Sequence, residues 1–326
     1  MSAVVKTEWR RGSEYGIEFV ILTCAGESAA SLEAWIAPDF GSNLCRLTLD
    51  GTPLIDYEPD VLLRHGYTGT PVLYPTPNQV RDAVINLQGE SLRQTKRGKP
   101  VLSHGLVHDE AWEHGEPKLE GDSVAFETWI DFDPANPLFE AFPFCHRLSI
   151  CFRLKCNGIT ISYSIRNLGD RDIPFGFGLH PYFMKLSGES QTMLTLPTKY
   201  VMENAPDNLP TGKLLKTAGT ACDLNNPVSI GSINMNHVFT GISSEKAVRI
   251  DYMTKELAVI ISATSDFSHL VVFSPKNKNY FCVENQTCSI DAHNLYNKGF
   301  TKESGLKLVP PGKVHSGFVS YTTERM

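Results

Sequence analysis

No stretch of this 326-residue chain is apolar for the ~18 residues that a membrane-spanning helix needs. The N-terminal MSAVVKTEWRRGSEYG likewise has no apolar core of signal-peptide length before its charges begin. The expectation is therefore a cytoplasmic protein with no membrane partner. Lysine and arginine never form a run long enough to follow a phosphate backbone, and the net charge is −6, which argues against a nucleic-acid partner. The eight cysteines include no C-x-x-C pair and are scattered through apolar stretches, the pattern of buried, reduced thiols rather than a disulfide scaffold or a zinc site. There is no Pro/Ser-rich linker, no composition break and no repeat at a fixed period, so residues 1–326 read as a single domain. Long amphipathic helical windows are missing too.

In their place is period-two alternation. GITISYSIR (Gly158–Arg166) puts Ile159, Ile161, Tyr163 and Ile165 on one face and Thr160, Ser162, Ser164 and Arg166 on the other. Such a pattern makes a half-buried antiparallel strand. Val124–Phe132 repeats it with Val124, Phe126, Ile130 and Phe132 inward, and Leu148–Lys155 and Leu257–Thr264 are also strand-like. Turn signals separate the runs at Asp50-Gly51, Asn157-Gly158, Gly169-Asp170 and Pro310-Pro311-Gly312. Many short strands without helices bury their faces by stacking sheet on sheet, so the fold class is all-β, a large antiparallel β-sandwich.

Four segments combine glycine, proline and aromatics with isolated polar groups: GTPVLYPTPNQVRDA (Gly69–Ala83), SHGLVHDEAW (Ser103–Trp112), FGFGLHPYF (Phe175–Phe183) and FCVENQTCSIDAHNL (Phe281–Leu295). A bulky segment that turns sharply aims a side chain, and here the aimed groups are His104, His180 and Glu284. Two imidazoles and a carboxylate are what proton transfer on a neutral substrate requires. His104 and His108 are spaced like a helical metal pair, but Gly105 and the strand context argue against a helix. Trp112 suits either core packing or a sugar face, and His293 reads as a loop-capping residue.

In this order the four segments resemble the aldose 1-epimerase (galactose mutarotase) family, with a weaker echo in GSNLCRLTLDG (Gly41–Gly51). The resemblance implies one elongated β-sandwich with a sugar cleft on a concave face. It implies that Glu284, in V-E-x-x-T, is the catalytic base, that His180, in HPYF, is the acid, and that His104 binds the sugar. A nearby carboxylate would keep His180 protonated near neutral pH. Asn78 matches the family's binding-loop asparagine, but Gln79 stands where an arginine usually follows, leaving Arg81 to supply a guanidinium or to pair with Asp82 or Asp109. Asn236, in NHVF, replaces a frequent aspartate and remains a substrate-binding candidate.

The implied partner is a free hexose, handled as a monomer or homodimer, with no metal and no cofactor. Three rival readings stand beside it. One is an epimerase of a charged sugar such as a hexose 6-phosphate, for which Arg64 and Arg81 flank the first motif and Arg93 and Arg97 follow it. The others are a non-catalytic carbohydrate-binding protein on the same fold and a glycosidase with two carboxylates.

Overall fold

A computed structural model describes residues 5–26, 31–87 and 89–326. Among these the chain folds as stacked antiparallel sheets, the larger of 13 strands and the next of 10. The alternating segments build the smaller sheet. Ser123–Phe132, His146–Lys155 and Gly158–Asn167 form consecutive hairpins, and Val314–Arg325 and Leu257–Ala263 extend the ladder. In the larger sheet, Val5–Glu14 lies at one edge and Pro210–Lys216 at the other. Its middle holds Tyr182–Met184, Tyr280–Gln286, His269–Phe273 and Asn236–Ile242 as successive neighbours. Asp50-Gly51 closes one hairpin of this sheet with both residues at positive φ, the geometry that matches strand twist.

Alternation decides what lies between the sheets. Ile159, Ile161, Tyr163 and Ile165 are buried, as are Val124, Phe126, Ile130 and Phe132, while Arg166 on the opposite face is exposed. One continuous apolar cluster joins Leu22, Ile36 and Leu47 of the larger sheet to Phe126, Phe152 and Ile161 of the smaller one. Trp112 belongs to this core, with its indole N–H donating to the Val107 carbonyl, so core packing rather than sugar stacking accounts for it. No helix of the described residues is long and apolar enough to cross a membrane.

One expectation is overturned. Cys24, in a strand of the larger sheet, and Cys156, in the turn between Lys155 and Gly158, are joined as a disulfide, with Cα atoms 4.9 Å apart. They lie 132 residues apart in sequence and are brought together where the two sheets face each other, which cysteine spacing cannot reveal. The other six cysteines are free thiols.

The aromatic frame of FGFGLHPYF is anchored in the core. Phe177 is 1% exposed and stacks on Tyr163 with ring centroids 4.3 Å apart. Phe177→Ala is expected to lower unfolding free energy by about 3–5 kcal/mol in a denaturant titration. A loss below ~1 kcal/mol would mean that the inter-sheet stack carries little of the stability.

Candidate active site

The site follows from strand register. Tyr280–Gln286 pairs on one side with His269–Phe273 and on the other with the FGFGLHPYF segment, Gly178 opposite Gln286 and Tyr182 opposite Cys282. That register places His180 directly across from Glu284. Leu179, Phe183, Phe281 and Val283 point into the inter-sheet core, so the alternate residues His180, Tyr182, Cys282, Glu284 and Gln286 share the other face. The outer side of the histidine segment is pinned by two backbone bonds, His180 N–H to the Pro71 carbonyl at 3.1 Å and Tyr182 N–H to the Gly69 carbonyl at 2.8 Å.

His104 arrives from a loop with unusual backbone geometry. Asn78, His104 and Gly105 all have positive φ, at 57°, 65° and 74°. The His104 N–H donates to the Asn78 carbonyl at 2.8 Å, so the two candidate binding residues hold each other. Gly105 is required there, because a Cβ would lie 2.1 Å from the Tyr74 carbonyl oxygen. The His104 ring meets His180 edge-on at 5.3 Å. Tyr67 lies between His104 and His108, at 4.4 and 4.6 Å, and Tyr182 stacks on His180 at 4.9 Å.

At the centre, His180 Nε2 lies 3.2 Å from Glu284 Oε1. Gln286 Nε2 donates to the other carboxylate oxygen at 2.8 Å. Asn78 also lies close enough to favour the ionised carboxylate, although its Nδ2 has no partner of standard hydrogen-bond geometry among the described residues. His104 Nδ1, His180 Nδ1 and Gln286 Oε1 are likewise buried without partners among those residues. Polar atoms are seldom left this way in a protein interior, and these belong to side chains grouped around Glu284 and His180.

The charge state of the pair differs from the expectation. Burial dominates: it pushes Glu284 up to about 8 and His180 down to about 4. The 3.2 Å approach favours the ion pair, but desolvation of both groups outweighs it, so the resting pair is a carboxylic acid against a neutral imidazole. His104 is also held neutral, by burial and by the neighbouring imidazoles.

Not every candidate joins this centre. Arg81 is exposed, and its guanidinium donates to Asp207 at 2.7 Å, a partner outside the Asp82 and Asp109 alternatives. Asn236 is exposed and pairs with Phe273, itself paired with Cys282, which puts it two strands from the Tyr280–Gln286 strand on the Glu284 face. Gln79 is exposed, and its carbonyl accepts from the Asp291 N–H.

Four further residues matter. Gln286, two residues beyond Glu284, was visible as a same-face neighbour by alternation alone. Tyr182 lies in the HPYF segment two residues from His180, whereas Tyr67 has no signal beyond being aromatic. Asp291 accepts from the Arg81 N–H and from Asn294, whose Nδ2 also donates to the Val84 carbonyl. With His293 in contact with the Pro174 carbonyl, DAHNL is the clamp that holds the Asn78 loop against the sheet.

The raised Glu284 value has a stability consequence. A carboxyl that binds its proton more tightly when folded stabilises the fold at low pH and loses that contribution as pH rises from 4.5 through about 8. His180 acts in the opposite sense, but only as pH falls below 6.5 toward about 4. Between pH 6.5 and 8 the carboxyl acts alone of the two, so ligand-free protein is expected to lose stability across that window. Glu284→Gln should flatten the slope relative to wild type in denaturant titrations; an unchanged slope would show that Glu284 ionises normally.

Comparison with known proteins bears on the family and the fold. The family model described as aldose 1-epimerase matches residues 30–322. The uncharacterized protein YihR of Escherichia coli K12 is 24% identical over 293 residues, covering 87% of this chain and 88% of the relative. A galactose mutarotase-like protein from Clostridium acetobutylicum superposes with a TM-score of 0.86 at 23% identity, covering 98% of this chain and 99% of that one. Galactose 1-epimerase from Lactobacillus acidophilus NCFM gives 0.74 at 15% identity, covering 99% of each. At these identities the structural likeness speaks for the fold alone.

Proposed function

Because the chain belongs to the aldose 1-epimerase family, we propose that it interconverts the α and β anomers of a free hexose, with Glu284 as base and His180 as acid. The observation that carries this reading is the buried His180–Glu284 contact at 3.2 Å, set among partnerless polar atoms of Asn78, His104 and Gln286. His104 and Asn78 are proposed to bind sugar hydroxyls, and Asn236, two strands over on the same face, to reach the far side of the substrate. Arg81 is proposed to contact sugar only after exchanging Asp207 for a hydroxyl. Residues 1–326 are proposed to work as one domain, which limited proteolysis would test by yielding no stable halves.

The chemistry balances within the pair. In the reactive form Glu284 is ionised and His180 protonated. Ring opening moves the O1 proton to Glu284 and a His180 proton to O5, breaking the C1–O5 bond and leaving an aldehyde. Rotation about C1–C2 and reclosure reverse both transfers on the other face. The pair carries one shared proton before and after, so no cofactor is called for, and each well-placed group contributes about 10²–10⁴ in rate.

The state of Arg81 and Arg97 favours a neutral substrate over a phosphorylated one. Arg81 is neutralised by Asp207, and Arg97 by Asp109 and Glu110. Arg64 and Arg93 donate to backbone carbonyls of Asp60 and Asp82. A phosphate site needs guanidinium charge without a carboxylate partner, which Arg81 and Arg97 do not offer.

Saturation-transfer NMR between the anomers of glucose and galactose, beside their 6-phosphates, tests the reading directly. Exchange is expected with a free hexose and to fall ~10²-fold or more in Glu284→Gln with little change in KM. The pH profile of kcat/KM should be bell-shaped, falling near about 4 as the pair takes a second proton and near about 8 as it loses the shared one. Near-wild-type turnover in Glu284→Gln would remove the carboxylate from the mechanism, and exchange confined to the 6-phosphates would establish the charged-sugar alternative.

A further inference from the structure

Gln286 is fully buried and is aimed at the base rather than at the core. It follows Glu284 by two residues on the same strand, so both side chains leave the same face. Its Nε2 donates to Glu284 Oε2 at 2.8 Å, while Glu284 Oε1 faces His180 at 3.2 Å. The two carboxylate oxygens are thereby distinguished, one tied and one turned to the reacting partner. The register explains why a side chain of this size fits: Gly178 lies directly opposite, and a Cβ there would stand 3.0 Å from Gln286 Cγ. His269, on the other flank, is occupied by Ser268 and the Glu303 carbonyl. The Gln286 carboxamide is thus left to Glu284 alone, its Oε1 without a partner among the described residues.

We propose that Gln286 is a positioning residue for the base, fixing the Glu284 carboxylate with Oε1 toward His180 and favouring its ionised form. The inference rests on the proposed roles of Glu284 and His180. An N–H aimed at a carboxylate stabilises the anion, so it opposes the burial that keeps Glu284 protonated. The other titratable groups around Glu284 are His180 and Tyr182 from the facing segment, Cys282 on its own strand, and His104 next to His180. Burial holds each of them uncharged at neutral pH. The nearby amides Gln286 and Asn78 are therefore what favours the charge, and only Gln286 does so through a hydrogen bond of standard geometry.

Gln286→Met keeps the length and volume but removes the donor. Without it, the fully deprotonated pair and the reactive imidazolium–carboxylate form are both less favourable, whereas uptake of the second proton is unaffected. In the pH profile of kcat/KM the alkaline limb is expected to move up by roughly one to two units while the acid limb stays. The plateau should fall ~10-fold or more through kcat, with KM nearly unchanged. A purely structural role would lower the plateau and leave both limbs in place, which would overturn the proposal.

A second readout does not depend on turnover. With glutamate labelled at Cδ, the ¹³C titration of the Glu284 carboxyl, assigned by its loss in Glu284→Gln, should shift upward by the same amount in Gln286→Met. Absence of sugar exchange in wild type would sink the functional reading, yet this titration would still show whether Gln286 controls the carboxylate. An identical Glu284 titration in both proteins refutes the proposal. If Gln286→Met does not fold, Gln286→Leu also removes the donor without adding a charge, and the Glu284 titration should rise as far. A titration unmoved or lowered in that variant would refute the proposal equally.

Discussion

A carboxyl group and an imidazole buried in contact hold one proton between them more readily than none or two. Desolvation makes a lone carboxylate or a lone imidazolium expensive in the larger sheet's interior, and the 3.2 Å contact gives each charge a single neutralising partner. The pair therefore stays neutral overall whichever group carries the proton. Proton relay through a sugar is compatible with that constraint, because opening a hemiacetal shifts one proton into the pair and one out. Chemistry that stranded net charge there would work against the burial.

The surrounding backbone reads as a consequence of holding that pair still. Glu284 sits within a strand and His180 between two short strands paired to it, and the neighbouring residues of both are locked into the core, so their positions carry little freedom. The Asn78 and His104 loops have no ladder of that kind. They are held by the Asn78 carbonyl bond to His104, by the positive φ of Asn78, His104 and Gly105, and by Asp291 gripping the Arg81 N–H. Left-handed backbone at non-glycine residues costs about 1–3 kcal/mol each, and such cost is tolerated where the surroundings over-determine it.

Strands and segments of this kind were readable in advance. Alternation in Gly158–Arg166 and Val124–Phe132 specified their buried faces, because a period of two has only one apolar side. The Gly/Pro/aromatic frames around His104, His180 and Glu284 marked segments that aim a side chain. What escaped was whatever depends on distant partners. Cys24 and Cys156 meet only after two sheets pack. Arg81 finds Asp207, a loop residue with no sequence relation to it. The charge on His180 was misjudged because proximity to a carboxylate is visible in a motif, whereas the depth of burial opposing it is a property of the whole sandwich.

The charge economy of the site also bears on what it can accept. Arg81 and Arg97 are already committed to carboxylates, and the central pair is neutral. An anionic substrate would have to break one of these ion pairs before it gained either guanidinium. A neutral polyol meets no such barrier: its hydroxyls both donate and accept, and the partnerless atoms of Asn78, His104, His180 and Gln286 include groups of both kinds. Tyr67, held between two imidazoles, and Tyr182, stacked on His180, add apolar ring surface beside them. Under the proposed function, discrimination between hexoses would lie in how individual hydroxyls meet Asn78, His104 and Asn236, since an unpaired buried hydroxyl is costly while a matched one is nearly neutral.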